Sequence, residues 1–197
     1  MQRGAGVSTG AIVLAAGQGT RMGGPKALLL SNGLPLVVHH TRRLFEAGAV
    51  EIVVVVRPDL VVRTRAWLDD PRVRILGETT AEQAESLAVG MAALQPRHRS
   101  VWIAPVDALP ARLSTYRELT RALASGAPAA TPRFQGRGGH PVLAQRFVLA
   151  PYAVGETPRL RDLLSTTVGR LRIDVDDPHV TSDLDRPSDL ATPPRFA

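Results

Sequence analysis

The sequence Leu14-Ala-Ala-Gly-Gln-Gly-Thr-Arg-Met-Gly-Gly-Pro-Lys26 joins an apolar run directly to a glycine-rich loop, an arrangement typical of the first strand and loop of an α/β fold. The apolar run Ala11–Ala15 is predicted to be a buried strand. Four glycines allow positive φ angles and a close approach of a ligand to the backbone: Gly17, Gly19, Gly23 and Gly24. Between a strand and a helix-like segment, such a loop can surround phosphate oxygens with backbone N–H groups.

Strand and helix patterns alternate on both sides of this stretch. Strands are predicted at Ala11–Ala15, Glu51–Val56, Val73–Leu76, Val101–Val106 and Ala129–Thr131, with further alternation at Leu171, Ile173 and Val175. Helices are predicted at Leu34–Ala47 (ended by Gly48), Pro58–Leu68, Glu82–Leu94, Ser114–Ser125 (capped by Ser114) and Leu160–Leu164. This order predicts an α/β fold with a mostly parallel sheet between helices. Ligands bind such sheets beyond the carboxyl ends of the strands, where the glycine loop and Asp107 both fall.

The composition excludes several classes of protein. Hydrophobic residues are 44% and charged residues 21% of the 197 positions, which argues against a disordered chain. The sequence has no cysteine, so a disulfide framework, a thiolate metal site and a cysteine nucleophile are excluded. No apolar run approaches the ~18 residues that span a bilayer, and Ala11–Ala16 is too short for a secretory leader. We therefore expect a cytoplasmic protein that does not bind membranes.

The length predicts one domain over residues 1–197, with an ordered core at 8–191 and a frayed tail at 192–197. Residues 132–141, which are rich in glycine and arginine, are predicted to form a flexible functional loop. Histidines 39 and 40 are predicted to lie on a helix in structural roles.

The net charge of +6 does not by itself indicate a nucleic-acid partner. The basic residues are spread along the chain, and the aromatic content of 4% is too low for a base-stacking surface. We therefore predict that nucleic acid is not a partner. Lys26 is the only lysine among 24 basic residues, and it lies in the glycine-rich stretch. A compact ammonium group there suits a phosphate held in a tight space.

Two familiar phosphate loops do not fit the glycine spacing. The segment Gly17–Gly23 has one residue too many for a dinucleotide loop. A P-loop would need Lys and Ser or Thr directly after the last glycine, whereas Gly24 is followed by Pro25, Lys26 and Ala27. An ordinary turn between a strand and a helix remains the alternative.

The stretch Leu14–Gly23 with Lys26 instead resembles the L-A-A-G-x-(S/G)-x-R-M-G…K signature of nucleotidyltransferases. Within these it most resembles the molybdenum cofactor cytidylyltransferases and guanylyltransferases. Four further segments resemble motifs of that family: Ala84–Gly90, Val106–Pro110, Gly138–Val142 and Asp183–Leu190. The resemblance implies a Rossmann-like three-layer fold of the nucleotide-diphospho-sugar transferase type.

The resemblance also implies roles for particular residues. Arg21 and Lys26 would be the catalytic cations. The nucleotide-binding residues would be Leu14, Ala15, Ala16, Gly17, Gly19, Thr20, Arg21, Gly23, Lys26 and Ser86, with a helix cap as the alternative role of Ser86. Gly139 and His140 would shape the substrate pocket.

Nucleotidyl transfer depends on positioning and charge neutralisation, and Mg²⁺ suits it because this ion binds through one or two carboxylates plus substrate phosphates. Asp107, at the end of an apolar strand, is the first candidate metal ligand. Asp185, or Asp183 beside it, is the second.

The expected reaction moves a nucleotide monophosphate from CTP or GTP to a phosphorylated acceptor. By resemblance, CTP and molybdopterin are the expected substrates, with a molybdoenzyme as a further partner. The alternatives are another acceptor, such as a sugar 1-phosphate, or a nucleotide-binding accessory protein that has lost the transfer reaction.

Overall fold

The computed structural model describes residues 8–17 and 24–184, and one sheet dominates them. Within these residues the sheet has eight strands in the order β10-β7-β9-β6-β1-β4-β5, with β8 paired to β7. The strands of the sheet are β1 (Thr9–Ala15), β4 (Ala49–Val56), β5 (Val73–Gly77), β6 (Ser100–Pro105), β7 (Ala129–Phe134), β8 (Arg137–Gly138), β9 (Val142–Gln145) and β10 (Leu171–Asp174). A separate pair joins β2 (Leu30–Ser31) to β3 (Leu34–Pro35).

Helices connect most of these strands. The α-helices are α1 (Leu36–Glu46), α2 (Val61–Arg65), α3 (Gln83–Ala93), α4 (Leu113–Ala124), α5 (Ala150–Ala153) and α6 (Leu160–Thr166). Short 3₁₀ turns lie at Lys26–Leu28, Pro58–Leu60, Arg146–Leu149 and Pro178–Thr181. None of the helices in the described part of the chain combines the length and the apolar character needed to span a bilayer.

Both faces of the sheet are buried, which explains why the central strands are apolar throughout rather than alternating. Along β1, Ala11 and Val13 pack into a core shared with α1 and α4, whereas Ile12 and Leu14 pack into a core shared with α3, α5 and α6. The strand pairs β1–β4, β1–β6, β4–β5 and β10–β7 are parallel. The predicted α/β fold, a mostly parallel central sheet between helical layers, is confirmed.

The helix predictions hold with two corrections. Gly48 ends α1 with a φ of 90°, as a left-handed cap requires. The predicted cap at Ser114 is wrong, because α4 begins at Leu113 after Arg112 and has no side-chain cap. The predicted helix Pro58–Leu68 is a 3₁₀ turn followed by the five residues of α2.

The predicted loop at residues 132–141 is wrong in its first half. Strand β7 runs to Phe134 and turns back into β8 through Gln135 and Gly136, whose φ angles are 48° and 81°. Positive φ at both central residues favours a tight hairpin turn. The sequence analysis also missed β9, which lies antiparallel between β6 and β7.

Candidate functional site

The candidate site lies where β1 and β6 end side by side at the carboxyl edge of the sheet. These strands are parallel neighbours, with Leu14 opposite Pro105. The Val106 amide donates to the Leu14 carbonyl at 2.9 Å, and this hydrogen bond joins the carboxyl ends of the two strands. Gly17 therefore follows one strand and Asp107 follows its neighbour, as the sequence predicts for ligand sites in parallel sheets.

Lys26 reaches this edge from the 3₁₀ turn that follows the glycine loop. Its Nζ atom lies 3.9 Å from Oδ2 of Asp107, and its side chain is only 14% exposed. A largely buried ammonium group beside a carboxylate provides charges of both signs at one point of the site. Charges in such a partly enclosed place act more strongly than they would on an open surface.

A cavity of about 190 Å³ surrounds this pair. Six of the residues that the sequence analysis assigned to the site line it: Leu14, Ala16, Gly17, Lys26, Ser86 and Asp107. Ala15 does not line it, because its side chain packs into the core on the other face of the sheet. Five other assigned residues lie outside the described residues: Gly19, Thr20, Arg21, Gly23 and Asp185.

Ser86 lies in the first turn of α3, with its hydroxyl 2.7 Å from the hydroxyl of Thr80. It does not cap the helix, because α3 begins after Glu82 without a side-chain cap, so the alternative role is wrong. Thr80 also lines the small cavity. Sequence analysis missed Thr80, since a single threonine in a loop gives no signal until the fold places it beside Ser86.

The backbone of Asp107 holds a distant part of the chain at the site. The Leu184 amide donates to the Asp107 carbonyl at 2.7 Å, and Ala108 forms a β-bridge with Asp183. Sequence analysis placed the second metal ligand at Asp185 or Asp183. Residue 183 is thus brought to the same edge as Asp107.

The described residues contain no group of three His, Asp or Glu side chains that could hold a metal by themselves. Asp107 does fit Mg²⁺, which needs only one or two carboxylates when substrate phosphates supply further ligands. The side chain of Asp107 is about one-third exposed, at 35%, and it lines the small cavity.

Two histidines lie near Asp107 in different environments. His40, on α1, donates from Nε2 to the Ala108 carbonyl at 2.9 Å, and burial lowers the pKa of its imidazole to about 4. Burial also lowers the pKa of His140, although the charge of Asp107 opposes this shift. Both imidazoles are therefore neutral at pH 7. In each, the buried Nδ1 atom has no hydrogen-bond partner among the described residues.

A second cavity, of about 730 Å³, adjoins the small one and shares Leu14, Glu82 and Gln83 with it. Gly139 and His140 line it, as predicted for a substrate pocket. Gly139 has no room for a side chain, because a Cβ atom would lie 1.7 Å from the Val180 carbonyl oxygen. The His140 amide donates to that same carbonyl at 2.8 Å, which fixes this wall of the cavity.

The family model for the MobA-like NTP transferase domain matches residues 11–171. The chain belongs to this family. The match begins in β1 and ends in β10, so it includes the glycine loop and Asp107.

Curated relatives carry a more specific name. A 2-C-methyl-D-erythritol 4-phosphate cytidylyltransferase from Streptomyces avermitilis is 33% identical over 145 residues, which are 64% of this chain and 54% of that protein. The enzyme of the same name from Streptomyces coelicolor is 34% identical over 142 residues, covering 63% of this chain and 49% of that one. The chain thus spans about half the length of the curated relatives it matches.

Solved structures share the fold at low sequence identity. Rv0371c from Mycobacterium tuberculosis superimposes with a TM-score of 0.76 at 21% identity, covering 94% of this chain and 96% of that one. A nucleotidyl transferase from Methanothermobacter gives a TM-score of 0.75 at 21% identity, with 94% and 95% covered. The structural neighbours therefore support the nucleotidyltransferase type of three-layer fold.

Proposed function

We propose that this protein transfers a cytidylyl group from CTP to the phosphate of a small phosphorylated acceptor and releases pyrophosphate. The observation that carries the proposal is the placement of Lys26, 3.9 Å from Asp107, beside the glycine loop in a cavity that adjoins a larger one. The small cavity would hold the triphosphate, and the large cavity would hold the acceptor.

The reaction forms a bond between an acceptor phosphate oxygen and the α-phosphorus, and breaks the bond from that phosphorus to the β-phosphate. No proton transfer is required, so the protein contributes alignment and charge neutralisation. Lys26 would stabilise the charge that develops on the phosphates. Arg21, which belongs to the same loop, is proposed as the second cation. Thr80 would hold the hydroxyl of Ser86 in place against the nucleotide.

Asp107, with Asp185 or Asp183, is proposed to hold Mg²⁺. When bound, the ion would supply charge neutralisation to the triphosphate and the departing pyrophosphate. The neutral imidazole of His140 adds no positive charge near the ion, and it offers a polar edge to the acceptor. Rv0371c from Mycobacterium tuberculosis has also been solved as a complex with manganese, which supports a divalent cation in this fold.

The named relatives favour a sugar or polyol phosphate over molybdopterin as the acceptor. Their name specifies a cytidylyltransferase and an erythritol phosphate. This fits the alternative acceptor class of the sequence analysis better than its first choice. Molybdopterin is the second candidate, because the matching family is described as MobA-like. The comparisons give no support to a molybdoenzyme partner.

The test measures pyrophosphate release with Mg²⁺ and each of CTP, GTP, ATP and UTP. Each nucleotide is paired with 2-C-methyl-D-erythritol 4-phosphate, a sugar 1-phosphate or molybdopterin. We expect release with CTP and a phosphorylated polyol or sugar. Lys26→Ala should lower kcat/KM by about 10²–10³-fold, as removal of one charge-stabilising group does in other enzymes. Binding of CTP without release from any pair would instead identify a nucleotide-binding accessory protein.

A matched control separates loss of chemistry from loss of folding. Arg117 is exposed on α4, outside both cavities, so Arg117→Gln removes one cation without touching the site. It should retain full activity and the same unfolding temperature as wild type. Equal activity of Lys26→Ala and Arg117→Gln would contradict the proposed role of Lys26.

A further inference from the structure

The large cavity has a cationic wall that the proposed chemistry does not use. Its described lining includes six arginines but only two carboxylates, those of Glu82 and Asp183. The arginines are Arg133, Arg137, Arg159, Arg161, Arg170 and Arg172. An excess of one charge in a partly enclosed cavity attracts ligands of the opposite charge.

Two of these arginines are already neutralised by acidic neighbours. Arg133 makes two hydrogen bonds of 2.6 Å to the carboxylate of Asp174. Arg161 lies 3.8 Å from Asp162. The other four side chains (Arg137, Arg159, Arg170 and Arg172) make no hydrogen bond or ion pair with any described residue.

Two of these four arginines, Arg170 and Arg172, are two positions apart in the chain and both line the cavity. Arg172 lies opposite Thr131 in the parallel β10–β7 register, and Thr131 also lines the cavity. Burial, together with the positive charge of Arg172, lowers the pKa of the half-buried Arg170. Two guanidinium groups that are two positions apart in the chain and line the same cavity, without an acidic partner among the described residues, are suited to bind an anion with several acceptor oxygens.

The arginine pair is too far from the reaction centre to serve the same phosphate. Asp107 follows β6, whereas Arg172 lies in β10 and Arg170 directly precedes that strand. The sheet order between the two strands is β6-β9-β7-β10. Three strand spacings of about 4.8 Å separate these strands by roughly 14 Å. The two ends are also offset along the strands. Through Ala130 and Leu143, Leu171 is level with Trp102, which lies five residues, or about 16 Å, before Asp107. With the lateral and lengthwise separations combined, a single phosphate group does not contact both ends.

We infer that the acceptor carries a second anionic group, a phosphate or a carboxylate, that binds Arg170 and Arg172 with Arg137 and Arg159 around it. This inference rests on the proposed function, because it assumes that the acceptor occupies the large cavity. It deepens that function by naming the substrate class as an elongated molecule with an anion at each end. The substrate would thus differ from an erythritol phosphate, which carries one phosphate.

The test uses isothermal titration calorimetry without nucleotide, with alkanediol phosphates as probes. Decanediol bisphosphate is compared with decanol monophosphate, and a short butanediol bisphosphate serves as a length control. For wild type, the long bisphosphate should bind at least about 10-fold more tightly than the long monophosphate, since hydrogen bonds between charged groups add this much. A ten-carbon phosphate that ends in a carboxylate distinguishes the two kinds of second anion.

The double variant Arg170→Gln/Arg172→Gln should lose the preference for the long bisphosphate, while Arg117→Gln should keep it. Equal binding of bisphosphate and monophosphate by wild type would overturn the inference. A double variant that keeps the preference for the long bisphosphate would also overturn it. A double variant that weakens the binding of monophosphate and bisphosphate equally would do the same, because the arginine pair would then hold the only phosphate of the monophosphate. If bisphosphate selectivity holds but no nucleotide releases pyrophosphate, even with the long bisphosphate as the acceptor, the proposed function fails and the anion site remains.

Discussion

Buried histidines lie at both edges of the sheet, but they differ in whether their ring nitrogens have hydrogen-bond partners. At the amino edge, His98 is fully buried and uses both ring nitrogens: Nε2 lies 2.7 Å from the Glu51 carboxylate, and Nδ1 lies 3.0 Å from the Ser8 hydroxyl. At the carboxyl edge, His40 and His140 each leave a buried Nδ1 atom without a partner among the described residues.

The difference separates a structural cluster from a candidate binding site. Nε2 of His98 pairs with the Glu51 carboxylate and Nδ1 pairs with the Ser8 hydroxyl, so both ring nitrogens have a hydrogen-bond partner. None of these three residues lines either cavity. Buried polar groups without partners are costly, and His140 at the carboxyl edge lines a cavity that a ligand can fill.

Burial of His40 at the carboxyl edge should make the folded protein less stable in acid. Its pKa falls from 6.5 to about 4 in the folded protein, so between those values the unfolded chain binds a proton that the folded chain does not. The free energy of unfolding is therefore unaffected by this group above pH 6.5. It decreases as the pH falls below 6.5, by about 3 kcal/mol at pH 4.

Urea unfolding of wild type and His40→Gln between pH 4 and 7 measures this effect. The glutamine amide can still donate to the Ala108 carbonyl but does not titrate. The difference in unfolding free energy between the two proteins should shrink or reverse toward pH 4. An identical pH slope in both proteins would show that another group causes the acid sensitivity. His140, whose pKa is also lowered by burial, should contribute to the slope that remains, as should Asp59, Asp70 and Asp174, whose pKa values are lowered by hydrogen bonds from arginines.

The amino edge should respond to mutation in stability alone. Glu51→Ala leaves the buried Nε2–H of His98 without an acceptor, which costs about 1–3 kcal/mol. For a chain of this size the unfolding temperature should fall by about 2–4 °C per kcal/mol. Glu51→Gln keeps an acceptor oxygen and should lose less.

Affinity for CTP should stay unchanged in both Glu51 variants, because Glu51 lies five residues before the end of β4, about 17 Å from the carboxyl edge. Calorimetry of CTP binding on the folded variants measures this. A weaker affinity for CTP at constant folded fraction would mean that the amino edge influences binding at the carboxyl edge. This would contradict a purely structural role for Glu51 and His98.

Sequence predicted those parts of the site that depend on local order. The apolar run before Gly17, the placement of Asp107 after a strand and the position of Lys26 in the loop are each visible within about twenty residues. The parallel arrangement then brings strand ends together by a general rule. The proximity of Lys26 and Asp107 therefore follows from two local sequence patterns, each an apolar strand followed by a loop, and from the rule that parallel strands end at the same edge of a sheet.

The arginine wall could not be predicted in the same way. Arg137, Arg159 and Arg172 come from a hairpin, a helix start and a strand, and they share a cavity only because β10 pairs with β7. The strand on the other edge of β7, β9, has four residues and too little pattern to recognise, so the strand order around β7 is not visible in the sequence. Along the sequence these arginines look like ordinary surface charges.

The smallest expected effect concerns the hydroxyl pair Thr80 and Ser86 beside the nucleotide cavity. Thr80→Val keeps the shape of the side chain but removes the 2.7 Å hydrogen bond to Ser86, which should cost about 1 kcal/mol of stability. Under the proposed function, KM for CTP should also rise while kcat changes little, because the Ser86 hydroxyl is no longer held in one orientation.

Thr64 provides the matched control, since its buried hydroxyl has no hydrogen-bond partner among the described residues and lines neither cavity. Thr64→Val should be neutral or stabilising, because it removes an unsatisfied buried polar group without changing the volume much. Urea unfolding and CTP kinetics on both variants distinguish the hydrogen-bonded hydroxyl of Thr80 from the unpartnered hydroxyl of Thr64. If both substitutions change stability by the same amount and neither changes KM, the hydroxyl pair contributes nothing to the site, and the contrast between the edges rests on the histidines alone.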